Sequence, residues 1–146
     1  MYQRDFIMRM VEMLAELVAG ILSLINKGEF EKATQSIDNA YRDLLKEDAA
    51  FFTSIPLDEL TDVLIAEHNY TDGHLEILSE LFYTQAELLL AQSKLGESIN
   101  FYKKALKLFN FVFKKSGTFS IDKQSKIQYI ENRIAEFNID NTTKNE

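Results

Sequence analysis

The sequence predicts an all-α fold, and three observations carry that reading. Apolar residues recur at three- and four-residue steps over most of the chain, and no window alternates convincingly with a period of two. One Pro and five Gly in 146 residues leave long stretches without a helix breaker. A short pattern of small, large and Ala occurs twice: Ala33, Ile37 and Ala40, then Ser98, Tyr102 and Ala105, 65 residues later. A small residue lets two helices approach closely, and the large residue one turn on fills the space between them.

The elements follow in order. From Tyr2 to Asn26 the polar positions Asp5, Arg9, Glu12, Glu16 and Ser23 form one narrow stripe of a helix. The remaining faces are apolar, and Gly28 ends the helix. Glu29 to Leu45 is amphipathic, with Phe30, Ala33, Ile37, Ala40, Tyr41 and Leu44 inward, and is expected antiparallel to the first helix. Residues 47–56 read as irregular or briefly helical. Pro56 suits the first turn of a short helix that runs to Glu67. Thr71 and Asp72 start a long helix to Lys94, which Gly96 breaks. Glu97 to Lys115 is the next helix, with Ile99, Tyr102, Ala105, Leu106, Phe109 and Val112 inward. Ser120 is the expected cap of a last helix to Phe137, carrying Ile127, Ile130 and Ile134. The expectation is six or seven helices in a single domain over residues 1–137, and a frayed polar tail over 138–146.

Composition narrows the function. A chain of this length buries roughly 70% of its unfolded surface, enough to fold without a disulfide or a structural metal. It has no Cys, which removes thiolate chemistry and fits a reducing compartment. The formal charge of −7 makes nucleic acid and anionic membrane poor default partners. The uncharged run from Leu17 to Ile25 is too short to span a bilayer, and Asp5, Glu12 and Glu16 break a signal-peptide pattern. A cytoplasmic, unprocessed protein is expected.

The doubled pattern, each copy near a Gly and on a helix that follows another helix, resembles the second helix of a tetratricopeptide repeat (TPR). The resemblance covers about residues 14–45 and 79–112. It implies TPR-like antiparallel helical hairpins in a right-handed stack or a compact bundle. The opening Gln3-Arg4-Asp5-Phe6-Ile7-Met8-Arg9-Met10-Val11-Glu12-Met13 is similar to that of a family of small uncharacterised bacterial proteins with TPR-like helices. That likeness implies a fold and no activity.

The residues that carry chemistry elsewhere are sparse. His68 and His74 stand beside Glu67, Asp72 and Glu76, but five residues across a Gly turn matches no metal-ligand spacing. A polar helix–loop–helix turn explains them better, and no metal or cofactor is expected. Ser116, Ser120 and Ser125 lie in no nucleophile motif, and no Gly-rich phosphate loop occurs, so no enzyme activity is expected. Lys103, Lys107, Asn110 and Lys114 form one helix stripe, read as a solvated face rather than a nucleic-acid surface.

The TPR resemblance implies that the first helix of each unit lines a groove. In the second unit this places Glu80, Tyr83, Glu87 and Leu90 in a partner-binding groove. In the first unit the matching positions Ala15, Val18, Leu22 and Ile25 are apolar, so they are either filled by the chain's own helices or form an interface. Val18, Leu22 and Ile25 carry no charge to repel a second copy, and a homodimer through them is expected. The leading expectation is a non-catalytic protein–protein interaction module. The alternative is a helical pocket for an apolar small molecule, lined from the eleven Phe and four Met.

Overall fold

The computed structural model describes residues 2–116 and 121–144, with side chains described over 5–115 and 121–139. All regular structure among them is helical. The elements are α1 (Tyr2–Asn26), α2 (Phe30–Leu45), α3 (Ala49–Ser54), α4 (Leu60–Asp62), α5 (Asp72–Ala91), α6 (Leu95–Ser116) and α7 (Ile121–Lys144). A 3₁₀ turn, Leu57–Glu59, precedes α4, and a π turn, Val63–Glu67, follows it.

Helix α5 is the centre of the packing. It lies against α1, α2 and α6, and α7 lies against α6. Leu75, Ile77, Leu78, Leu81, Phe82 and Ala86 on α5 are fully buried, so the helix is covered on several sides.

Directions follow from named contacts. Gly73 at the start of α5 meets Ile7 near the start of α1, so these two helices run parallel. On α7, Lys123 pairs with Glu76 and Lys126 with Glu80, so α7 also runs parallel to α5. Helix α2 runs the other way: Tyr41 donates to Gln85 Oε1 at 2.7 Å, whereas Leu45, farther along, accepts from the Tyr70 hydroxyl that precedes α5. Helix α6 returns along α5, with Ser98 Oγ donating to the Ala86 carbonyl at 2.8 Å.

The doubled pattern is buried at every position. Ala33, Ile37, Ser98, Tyr102 and both alanines at 40 and 105 are at most 5% exposed. The turn before each copy is also repeated. In the first, Glu29 N–H donates to Leu24 O and Gly28 N–H to Ile25 O; in the second, Lys94 N–H donates to Leu89 O and Ser93 N–H to Leu90 O. Gly28 and Ser93 both hold φ in the left-handed region, at 76° and 63°. This is the closure by which a helix satisfies its last carbonyls before reversing.

That geometry corrects the expected break at Gly96. Helix α5 stops at Ala91, Ser93 makes the turn, and Gly96 lies inside α6. Ser93 carries no visible turn signal because a serine there tolerates, rather than favours, the left-handed conformation.

Residues 49–54 form a brief helix, within the expected reading of 47–56, capped by the Asp48 side chain accepting from Phe51 N–H. Two further differences concern the connector and the last helix. The segment to Glu67 is not one helix but 3₁₀, α and π turns in succession. Helix α7 continues to Lys144, beyond the expected end at Phe137, because no Pro or Gly interrupts residues 138–144. Ser120, the expected cap, lies outside the described residues.

The connector between α2 and α5 is held onto α6 by two lysines. Lys104 Nζ donates to the Thr53 carbonyl at 3.0 Å and Lys107 Nζ to the Leu57 carbonyl at 2.6 Å. Lys104 is 3% exposed, its ammonium near the rings of Phe82 and Phe101. Burial lowers its pKa. Lys107 therefore departs from the solvated stripe expected for it: its ammonium binds a carbonyl at the connector.

Candidate functional site

Three of the four residues expected to line a groove on α5, Glu80, Tyr83 and Glu87, face the chain's own last helix. Lys126 Nζ stands 2.7 Å from Glu80 Oε2 and 4.9 Å from the centre of the Tyr83 ring. Tyr83 meets Tyr129 edge-on, with ring centres 6.1 Å apart, and Tyr102 meets the same ring at 6.4 Å. Burial raises the pKa of all three tyrosines, and the Glu87 carboxylate beside them adds to it. Arg133 Nε donates to the Tyr129 hydroxyl at 3.0 Å, with its guanidinium over the ring. Helix α7 is thus seated on Glu80, Tyr83 and Glu87, while Leu90 is half-buried. An external helix would have to displace α7 to reach these residues.

The Tyr102 hydroxyl at the centre of this cluster is fully buried and makes no well-formed hydrogen bond among the described residues, with the Tyr129 hydroxyl and the Glu87 carboxylate beside it. It lies between α5, α6 and α7, where three amphipathic rings bring their polar tips together.

The expected self-association face is corrected by the packing. Val18 and Ile25 are 5% and 7% exposed and belong to the core, and Leu22 is half-buried against it. The two neighbours α2 and α5 cover this face of α1. The reason is geometric: the greasiest side of α1 is the side that faces the interior.

What α1 leaves open is a different stripe, in its first half. Phe6 is 45% exposed and Met13 60%, with Met10 and Leu17 half-buried between and beyond them. Met10, Met13, Leu14, Glu16, Leu17 and Leu44 line an apolar surface cleft of about 360 Å³. The cleft exists because α2 is shorter than α1. Lys46 turns the chain with φ of 64°, so α2 ends at Leu45 and leaves the first turns of α1 without that neighbour. Sequence periodicity ranked the whole of α1 as apolar and carried no sign of where α2 would stop covering it.

The two histidines are brought into one aromatic row. Phe51 stacks on His68 at 4.5 Å, His68 meets Tyr70 edge-on, and Tyr70 stacks on His74 at 4.7 Å. His68 Nε2 lies 3.4 Å from Glu47 Oε1. His74 Nδ1 accepts from the Thr71 N–H at 3.0 Å, and Thr71 Oγ1 accepts from the His74 N–H, a capping box at the start of α5. Among the described residues no cluster of His, Asp and Glu has the arrangement of a metal site.

Among the described residues no helix is long and apolar enough to cross a membrane. No known family, curated protein or solved structure matches this chain.

Proposed function

We propose that this chain is a non-catalytic protein-interaction module built from TPR-like hairpins, acting in the cytoplasm, and that it meets its partner through the open first half of α1. The hairpin reading is supported by the 65-residue repeat of turn and pattern, and by α1, α5 and α7 running one way while α2 and α6 run back. The single observation that carries the interaction reading is the uncovered stripe of Phe6, Met10, Met13 and Leu17 beside Leu44. Methionine-rich apolar surface adapts its shape to a partner helix at low cost.

A photoreactive amino acid at position 13 tests this in the native cell. Adducts at position 13, and none from the same group at Gln35 on the polar outer face of α2, are expected. Absence of adducts at position 13 overturns the reading. An apolar small molecule in the same cleft is the second reading, and native mass spectrometry separates the two by the mass of a bound compound.

A further inference from the structure

We infer that the partner is a second copy of this chain, paired antiparallel through the first half of α1, so that Phe6, Met10, Met13 and Leu17 of each copy cover those of the other. This rests on the interaction reading above and supplies its occupant.

The stripe has the spacing that a helix pair needs. Its members are four, three and four residues apart, the rhythm that keeps one seam facing a partner helix. Among the described residues nothing covers this seam fully: α2 ends at Leu45, and Phe6 and Met13 remain about half exposed.

Charge chooses a second copy and its direction. Of the exposed stripe Asp5, Arg9, Glu12 and Glu16, Arg9 and Glu16 lie nearest the seam, and none of the four is ion-paired among the described residues. In a two-fold antiparallel pair the Arg9 of each copy comes beside the Glu16 of the other, and symmetry makes the contact twice. A parallel pair would set Arg9 against Arg9 and Glu16 against Glu16. Opposite charges at the two ends of one seam thus make it complementary to itself, which an unrelated partner would not require. The seam is short, so the pair falls at the weak end of specific interfaces, with a dissociation constant on the order of micromolar.

Sedimentation over low to several hundred micromolar protein tests the pair. Wild type should pass from monomer to dimer across that range. Met13→Glu changes a largely exposed side chain, so it should keep the helical signal and weaken the dimer at least tenfold. Arg9→Glu should weaken it, and Arg9→Glu combined with Glu16→Arg should restore it. The chain has no Cys, so one introduced at position 13 reports alone. Oxidation should join copies of Met13→Cys and leave Ser23→Cys unjoined, because position 23 lies far from the two-fold axis. A monomer at all concentrations overturns the inference, as does a dimer unaffected by Met13→Glu or cross-linked through position 23. A monomer that still gives position-13 adducts with a foreign protein sinks the self-pairing alone; a monomer without adducts sinks both readings.

Discussion

Gly28 and Ser93 occupy the same turn, 65 residues apart, each with a left-handed backbone and each followed by an N–H that reaches back to a leucine carbonyl, Leu24 or Leu89. Glycine accepts that conformation freely, whereas serine pays a steric penalty for its Cβ. Ser93→Gly should therefore stabilise the protein by about 1 kcal/mol, and Gly28→Ala should destabilise it by a similar amount. Gly96 is in a helix with open space around it, so Gly96→Ala should stabilise by roughly 0.5–1 kcal/mol. Urea unfolding of the three variants checks the signs. A destabilised Ser93→Gly would place the turn elsewhere.

Gly73 is where the start of α5 meets the Ile7 side chain of α1. A Cβ there would collide with the Ile7 side chain. Gly73→Ala should cost about 1–3 kcal/mol, the usual range for overpacking. Adding Ile7→Ala should recover part of that loss, giving a favourable coupling in a double-mutant cycle. Simple additivity would mean the two helix starts do not touch.

Two buried tyrosines should respond in opposite ways to loss of the hydroxyl. Tyr41 donates to Gln85, so Tyr41→Phe removes a made bond and should cost about 1 kcal/mol. The Tyr102 hydroxyl is buried without a well-formed hydrogen bond, so Tyr102→Phe should be neutral or stabilising by up to about 1 kcal/mol. Thermal melts of the pair decide it; a large loss from Tyr102→Phe would reveal a bonded group at that hydroxyl.

His74 should make stability depend on pH. Its Nδ1 accepts the Thr71 N–H, so the ring must be neutral there, and burial lowers its pKa below the ordinary 6.5. At this helix start stand Asp72, paired with Lys115 at 3.5 Å, and the His68 ring across Tyr70. A histidine whose pKa falls on folding contributes stability that is full above 6.5 and is lost as pH drops through its folded value. His74→Gln keeps an acceptor for the cap without the titration. The stability difference between wild type and this variant should therefore shift against wild type as pH falls from 7 to 5. A difference that stays constant removes His74 as the cause.

Helix α7 is tied to α5 by its polar side chains more than by its core. Ile130 is fully buried, while Ile127, Ile134 and Phe137 are half-buried. Lys126→Met would strand Glu80, whose side chain is 13% exposed, at a cost of about 1–2 kcal/mol. Amide hydrogen exchange should accelerate in α7 and remain slow in α5 and α6. Equal acceleration in all three would show α7 to be part of one cooperative core.

The all-α class, most helix boundaries and the inward positions of the doubled pattern are legible in the sequence alone. Helical periodicity records which side chains leave water, and Ala33, Ile37, Ser98, Tyr102 and Ala105 are inside as their spacing required. What it left undecided was which neighbour covers each face. That depends on contacts between residues far apart in the chain: Gly73 on Ile7, Lys104 on Thr53, Lys126 on Glu80. Val18 and Ile25 read as apolar in either an interface or a core, and only the position of α2 and α5 placed them in the core. Conversely, Phe6 and Met13 look like ordinary core residues in the sequence, and the early end of α2 leaves them in solvent. Burial is a property of the assembled helices, because a side chain is hidden only when another element reaches it.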